Sequence, residues 1–236
     1  MPNNYFRFKQ FTVMHEKTAM KVGTDGVMLG AWVGIGKANR ILDIGTGTGL
    51  IALMLAQRCN AAIDAVEIDE ASAQQARENV ANSKWGDRIH VFSSSFQHFA
   101  KGAEGKYDLV VSNPPYFTKS LKSPEIARTV ARHNELLPHD ELAEWVNAIL
   151  SEEGRFAGIF PYVEGNVFVA KASRYNLFCT KRVNVLGKAK GPIKRLLLEF
   201  GRKPKPLVEE TFSIRTDDGE YTAEYIQLTK DFYLAF

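Results

Sequence analysis

Asn113-Pro114-Pro115-Tyr116 is the stretch of this chain whose residue types carry the most chemistry. An Asn amide oxygen and a proline-flanked carbonyl can accept both hydrogens of a planar amino group while an aromatic ring stacks beside it. Two prolines have no N–H to donate and each fixes φ, so the stretch is a rigid extended stub that ends any strand or helix. It follows Tyr107-Asp108-Leu109-Val110-Val111-Ser112, an apolar run that predicts a short buried strand. In open α/β sheets the end of a strand is where ligands bind. A plain loop cap with a surface tyrosine is the alternative that these four residues leave open.

A second constellation lies upstream. Asp43-Ile44-Gly45-Thr46-Gly47-Thr48-Gly49 follows a strand-like run and opens a helix-like one. Alternating glycines let backbone approach a ligand closely and turn sharply into the helix. The spacing is not that of a dinucleotide loop, whose last glycine would fall on Leu50 or Ala52, and no Gly-Lys-Ser/Thr end marks a P-loop. The loop therefore suits a ligand without phosphate. Glu67 ends the next strand about twenty residues on, where a carboxylate reaches both hydroxyls of a ribose. Ile68 is the candidate cover for an adenine face, and Asp43 the candidate partner of a cationic amino group. A ribose, an adenine and an amino acid without phosphate describe S-adenosylmethionine.

The elements that must hold these residues alternate from 40 to about 160, the pattern of a parallel sheet covered on both faces. Strands are predicted at 41–44, 63–67, 89–92, 107–112 and 156–160. Helices are predicted from Leu50, from Glu70 to about Ser83, and from a cap at Asp140 to a stop at Gly154. Residues 182–186 and 194–200 predict an antiparallel strand pair joined by a basic Gly/Lys turn at the sheet edge. Asp217-Asp218-Gly219 is a turn signal in the last segment. Before the core, 5–39 holds an amphipathic stretch through Met28, Leu29, Ala31 and Trp32. No linker divides the chain, so one domain over 1–236 is expected: a cap at 1–39, a cofactor-binding core at 40–160, and edge strands with an extension at 161–236.

With 236 residues, 45% apolar and 24% charged, the chain has the size and composition of one soluble α/β domain. A formal charge of +3 permits a nucleic-acid partner without requiring one. Cys59 and Cys179 are too few and too far apart for a disulfide scaffold or a zinc site. No His/carboxylate cluster has metal spacing, so no metal is expected. The N-terminus lacks a signal peptide's apolar core, and no run approaches the roughly 18 apolar residues that span a bilayer. A cytoplasmic protein follows as the expectation, with a monomer favoured.

On these motifs the chain resembles Rossmann-like class I methyltransferases of the amino-methylating kind, which use S-adenosylmethionine. The loop 43–49 matches that superfamily's first motif, and 113–116 its (D/N/S)PP(Y/F) motif. The likeness implies a seven-stranded, mostly parallel sheet with an antiparallel edge and helices on both faces. It also implies that Asn113 and the Pro114 carbonyl hold the target nitrogen while Tyr116 stacks on its plane. Residues 8–32, with Lys21-Val22-Gly23-Thr24-Asp25-Gly26, and the segments Arg195–Phe200 and Asp231–Leu234 are similar to bacterial tRNA (adenine-N6)-methyltransferases acting beside the anticodon of a valine tRNA. This implies that Lys21, Thr24 and Asp25 sit near the methionine end of the cofactor or the target base. One departure stands out: where such enzymes commonly carry an acid after the third strand, this chain has Ser93-Ser94-Ser95-Phe96. Ser95 is assigned the adenine amino bond, with Phe96 beside it among the cofactor-binding residues; a serine accepts that bond more weakly than a carboxylate.

The tRNA partner is assigned to 181–205, where nine Lys and Arg stand against the single acid Glu199. Arg128, Arg132 and His133 follow the stub as candidates beside the substrate entrance. Rival readings keep the chemistry on another substrate (a release-factor glutamine, a DNA adenine, an rRNA base) or keep only the fold, as an inert RNA-binding module.

Overall fold

The computed structural model describes residues 3–18, 20–114 and 137–236. Two short strands, β1 (Tyr5–Arg7) and β2 (Thr12–Met14), pair antiparallel ahead of the main sheet. Helix α1 (Thr24–Trp32) leads into β3 (Arg40–Ile44), α2 (Leu50–Arg58), β4 (Ala62–Glu67), α3 (Glu70–Ala81) and β5 (Ile89–Ser93). Then come α4 (Phe96–Gly102), β6 (Tyr107–Ser112), α5 (His139–Ile149), β7 (Leu150–Pro161) and α6 (Tyr162–Ala172). The chain closes with β8 (Phe178–Lys188), β9 (Ile193–Gly201), β10 (Val208–Arg215) and α7 (Ala223–Thr229).

Strands β5, β4, β3, β6 and β7 lie side by side in parallel, followed by β9, β8 and β10. Strand β9 runs antiparallel to both its neighbours, which gives the expected mostly parallel sheet with an antiparallel part. Among the described residues the sheet has eight strands rather than seven. The eighth, β10, pairs parallel with β8 and moves the edge outward from the β8–β9 pair. Its sequence, VEETFSIR, gives little apolar signal, because Glu209 and Glu210 pair instead with Arg182 and Lys181 on β8.

Alternate side chains of the central strands enter two cores. Ile41, Ile63, Leu109 and Val111 pack with α1 and α2 on one face. Leu42, Val66, Val110 and Phe156 pack with α4, α5 and α6 on the other. From β3 the chain winds outward through β4 to β5, then returns to place β6 on the opposite side of β3. That reversal opens a crevice at the carboxyl ends of β3 and β6, the place where such sheets bind ligands.

Three local expectations are corrected. Asp140 is not a cap: Pro138 precedes α5 without a side-chain cap, and Asp140 stands in the first turn, ion-paired with Lys171. Gly154 does not stop α5, which ends at Ile149 and runs directly into β7. It sits inside that strand where the register with β6 shifts, and a Cβ there would lie 2.8 Å from the Tyr107 carbonyl oxygen. Helix α1 is not amphipathic either, since Gly26 through Gly30 are all buried. Gly26 and Gly30 face Leu50 and Met54 of α2 so closely that Cβ atoms would come within 3.0 and 2.8 Å. Small residues one turn apart set the distance between those helices.

Candidate active site

The loop between β3 and α2 follows from its glycines. Gly45, Gly47 and Gly49 have φ of 68°, 56° and 81°, the left-handed region that glycine enters without steric cost. At Gly45 and Gly47 a Cβ would meet nothing within 4 Å, so there the demand is conformational. The N–H groups of Gly45 and Thr46 both donate to the Val66 carbonyl (2.8 and 3.1 Å), which pins the loop to the end of β4. Glu67, only 5% exposed, accepts from the Gly47 N–H at 2.9 Å and the Asp69 N–H at 3.0 Å. Each carboxylate oxygen keeps a further lone pair, and Glu67 lines the crevice.

Asp43 is fully buried beneath the loop. Its Oδ2 accepts from the Thr46 hydroxyl (2.6 Å) and the Ala52 N–H (3.2 Å), while Oδ1 has no hydrogen-bond partner among the described residues. Burial pushes this carboxyl up to about 7, against the pull of the two hydrogen bonds, and the neighbouring Glu67 charge adds to the rise.

The crevice divides into two clefts that meet at Gly45 and Pro114. The first is walled by Ile44, Val66, Ile68, Phe96 and Leu137, with Glu67 as its carboxylate. The second is walled by Lys21, Thr24, Asp25, Thr46, Asn113 and Arg195. Asp25 and Arg195 form an ion pair there, Nε to Oδ2, at 2.7 Å. Ser112 at the end of β6 donates to the Ile44 carbonyl at 2.9 Å, which ties the stub to the end of β3.

Most of the residues singled out from sequence thus converge. Gly45, Glu67, Ile68 and Phe96 line the first cleft; Lys21, Thr24, Asp25, Gly45, Gly47 and Asn113 line the second; Pro114 lines both. Three line neither. Asp43 lies one hydrogen bond behind Thr46. Gly49 turns the chain into α2 against Ala76. Ser95 caps α4, its hydroxyl oxygen accepting from the His98 N–H at 3.2 Å, and the cleft wall carries Ser94 and Gln97 instead. Tyr116, Arg128, Arg132 and His133 lie outside the described residues. The sequence reading missed Thr46 and Thr48, which the glycine alternation itself brings to the cleft, and Arg195, whose place follows only from its pairing with Pro161 across β7 and β9. Among the described residues no group of three or more His, Cys, Asp or Glu is placed to hold a metal ion. No helix among them is long and apolar enough to cross a membrane.

The methyltransferase small domain family matches residues 27–157. A tRNA1(Val) (adenine(37)-N6)-methyltransferase of Trichodesmium erythraeum is 48% identical over 239 residues, covering 100% of both chains. Proteins of the same name from Bacteroides fragilis (48% identical, 99% of both chains) and Serratia proteamaculans (46%, 98% of this chain and 90% of that one) align as fully. Among solved structures, a predicted O-methyltransferase of Agrobacterium tumefaciens superposes with a TM-score of 0.70 at 18% identity, over 88% of this chain and 96% of that one. An O-methyltransferase of Bacillus cereus in complex with SAH gives 0.54 at 20% identity, over 78% and 83%. These distant structures share the fold. With full-length identity near one half and the domain match over the core, the chain belongs to the methyltransferase small domain family, among the tRNA1(Val) (adenine(37)-N6)-methyltransferases.

Proposed function

We propose that this chain transfers a methyl group from S-adenosylmethionine to the exocyclic N6 nitrogen of a tRNA adenosine, the one 3′-adjacent to the anticodon of valine tRNA. The observation that carries this reading is the position of Asn113 and Pro114 at the end of β6, on the wall of a cleft floored by the glycine loop. The residues fit the cofactor. Glu67 stands ready for two ribose hydroxyls, and Ile68 and Phe96 flank an apolar slot for a purine, with Ser94 at its end. Asp43, with its unpartnered oxygen, puts negative potential behind Thr46, where a cation would sit.

S-adenosylmethionine supplies an electrophilic methyl group on a sulfonium. The chain's task is to present the nucleophile. An adenine amino group is a weak nucleophile because its lone pair is delocalised into the ring. Accepting both N–H hydrogens at the Asn113 amide oxygen and the Pro114 carbonyl localises that pair towards the methyl group. Tyr116, by its place in the motif, holds the ring plane. Positioning of this sort is worth several kcal/mol of the barrier. The target base must leave its stack to enter, and a loop base does so at lower cost than a paired one. Cations within the segment 181–205 supply charge for the RNA backbone. The whole chain acts as one domain, in the cytoplasm where tRNA is modified.

Incubation with labelled cofactor and total tRNA, followed by nucleoside mapping, tests this. N6-methyladenosine at the position after the anticodon of valine tRNA is expected; label in another nucleoside or in protein would replace the reading.

A further inference from the structure

The basic segment is not one surface. Strand β9 starts beside the carboxyl end of β7, where Arg195 pairs with Pro161, and ends at the opposite end of the sheet, where Gly201 pairs with Arg155. Six residues of extended strand separate those ends by about 20 Å. Lys188, Lys190, Lys194 and Arg195 are therefore at the cleft end of the β8–β9 hairpin, and Lys181, Arg202, Lys203 and Lys205 are at the far end.

Each end carries two ion-paired cations and two with no carboxylate within 4 Å among the described residues; what separates the ends is their distance from the cleft. At the far end Lys181 meets Glu210 at 3.0 Å, Lys203 meets Glu153 at 2.6 Å and Glu152 at 3.3 Å, and neighbouring Arg155 meets Glu199 at 2.8 Å. Arg202 donates to the Leu150 carbonyl, and Lys205 has no carboxylate within 4 Å among the described residues. At the cleft end Lys188 and Lys194 are exposed, likewise with no carboxylate in that range. Lys190 meets Asp217 at 2.9 Å but keeps 88% of its side chain open to solvent. The turn carrying them, closed by the Gly191 N–H donating to the Lys188 carbonyl, reaches about 10 Å beyond the end of β7. Arg195 continues this line of charge into the cleft wall, held there by Asp25.

We propose that the cleft end of the β8–β9 hairpin is the RNA-docking surface, with backbone phosphates of the anticodon arm crossing Lys188, Lys190 and Lys194 and the phosphate nearest the target base reaching Arg195, while the far-end cations take no part. This rests on the tRNA reading above and narrows it. Phosphate contacts orient a nucleic acid without reading its sequence, and each adds to the salt dependence of binding. Direct binding separates the proposal from the methylation reading.

The experiment is fluorescence anisotropy of unmodified valine tRNA against the full chain over a range of KCl concentrations. Lys188→Ala/Lys190→Ala/Lys194→Ala is expected to weaken binding by about a hundredfold near 100 mM KCl and to reduce the slope of log K against log salt by two to three. Cofactor affinity should be unchanged. Lys203→Ala/Lys205→Ala should bind like the wild type. Equal losses in both variants, an unchanged slope in the triple variant, or no binding by the wild type would overturn the proposal. Tight wild-type binding without methyl transfer would sink the methylation reading alone.

Discussion

The two clefts at the carboxyl edge of the sheet share Gly45 and Pro114 yet differ in the charged groups they carry. One is walled mainly by apolar side chains with a single carboxylate, Glu67; the other brings Lys21, Asp25, Arg195 and Asn113 together around three threonines. An apolar slot with one anchor binds a neutral heterocycle through burial and orients it through its sugar. A cleft with opposed charges holds groups whose charge changes or whose hydrogen bonds must be aimed. The proposed function puts the purine and ribose on one wall and methyl transfer on the other, so substitutions on each wall should be readable in different measurements.

The sharpest separation comes from Asn113. In the proposed function Asn113→Ala removes one of two acceptors for the target amino group, and turnover should fall by about 10² to 10³. Cofactor affinity, measured by isothermal titration, should stay within a few-fold. Parallel loss of both would abolish the division between the clefts. Glu67→Ala is the converse. Loss of charge-assisted hydrogen bonds to a ribose should weaken cofactor binding roughly ten- to a hundredfold. Turnover at saturating cofactor should change far less, and a large fall there would move Glu67 to the reacting side.

How far sequence reached follows the same physics. Runs such as Ile41–Ile44 and Leu109–Ser112 announce themselves because both faces of a central parallel strand are buried. The glycine loop is legible because left-handed φ at alternate positions admits few other residues. Strand β10 was not, since ion pairs across to β8 replace the apolar pattern. Gly154 read as a helix stop because a glycine inside a bulge and one past a helix look alike in one dimension. The serine run 93–95 could not say which hydroxyl turns inward, because that depends on which residue begins α4.

Asn79 joins two parts of the second cleft, and nothing in its sequence context marks it. It is 2% exposed, and its amide exchanges two hydrogen bonds with the Met14 backbone, both 2.9 Å. It also donates to the Thr48 carbonyl at 2.8 Å. Met14 leads into the segment carrying Lys21 to Asp25, so a single side chain ties that segment to the cofactor loop. Asn79→Ala leaves buried backbone groups unpaired, costing on the order of 2–3 kcal/mol of stability by denaturant titration. Cofactor binding and turnover should both worsen, by about tenfold. Movement of only one would show that the 21–25 segment and the glycine loop are held independently.

The smallest effect belongs to Asp43. In the cofactor-free protein burial holds its carboxyl near 7, so around neutral pH it is only partly ionised. A cation bound beyond Thr46 favours the ionised form. Protonation of Asp43 therefore competes with binding below pH 7 and ceases to compete above it. Cofactor affinity should tighten by up to about tenfold between pH 6 and pH 8, approaching a plateau above the carboxyl's own value. Asp43→Asn cannot titrate, so its profile should lose that rise and leave only what the ligand's amino group contributes. Superimposable profiles for the two proteins would mean that the buried charge does not reach either cleft, and that Asp43 serves only to hold Thr46 and the start of α2.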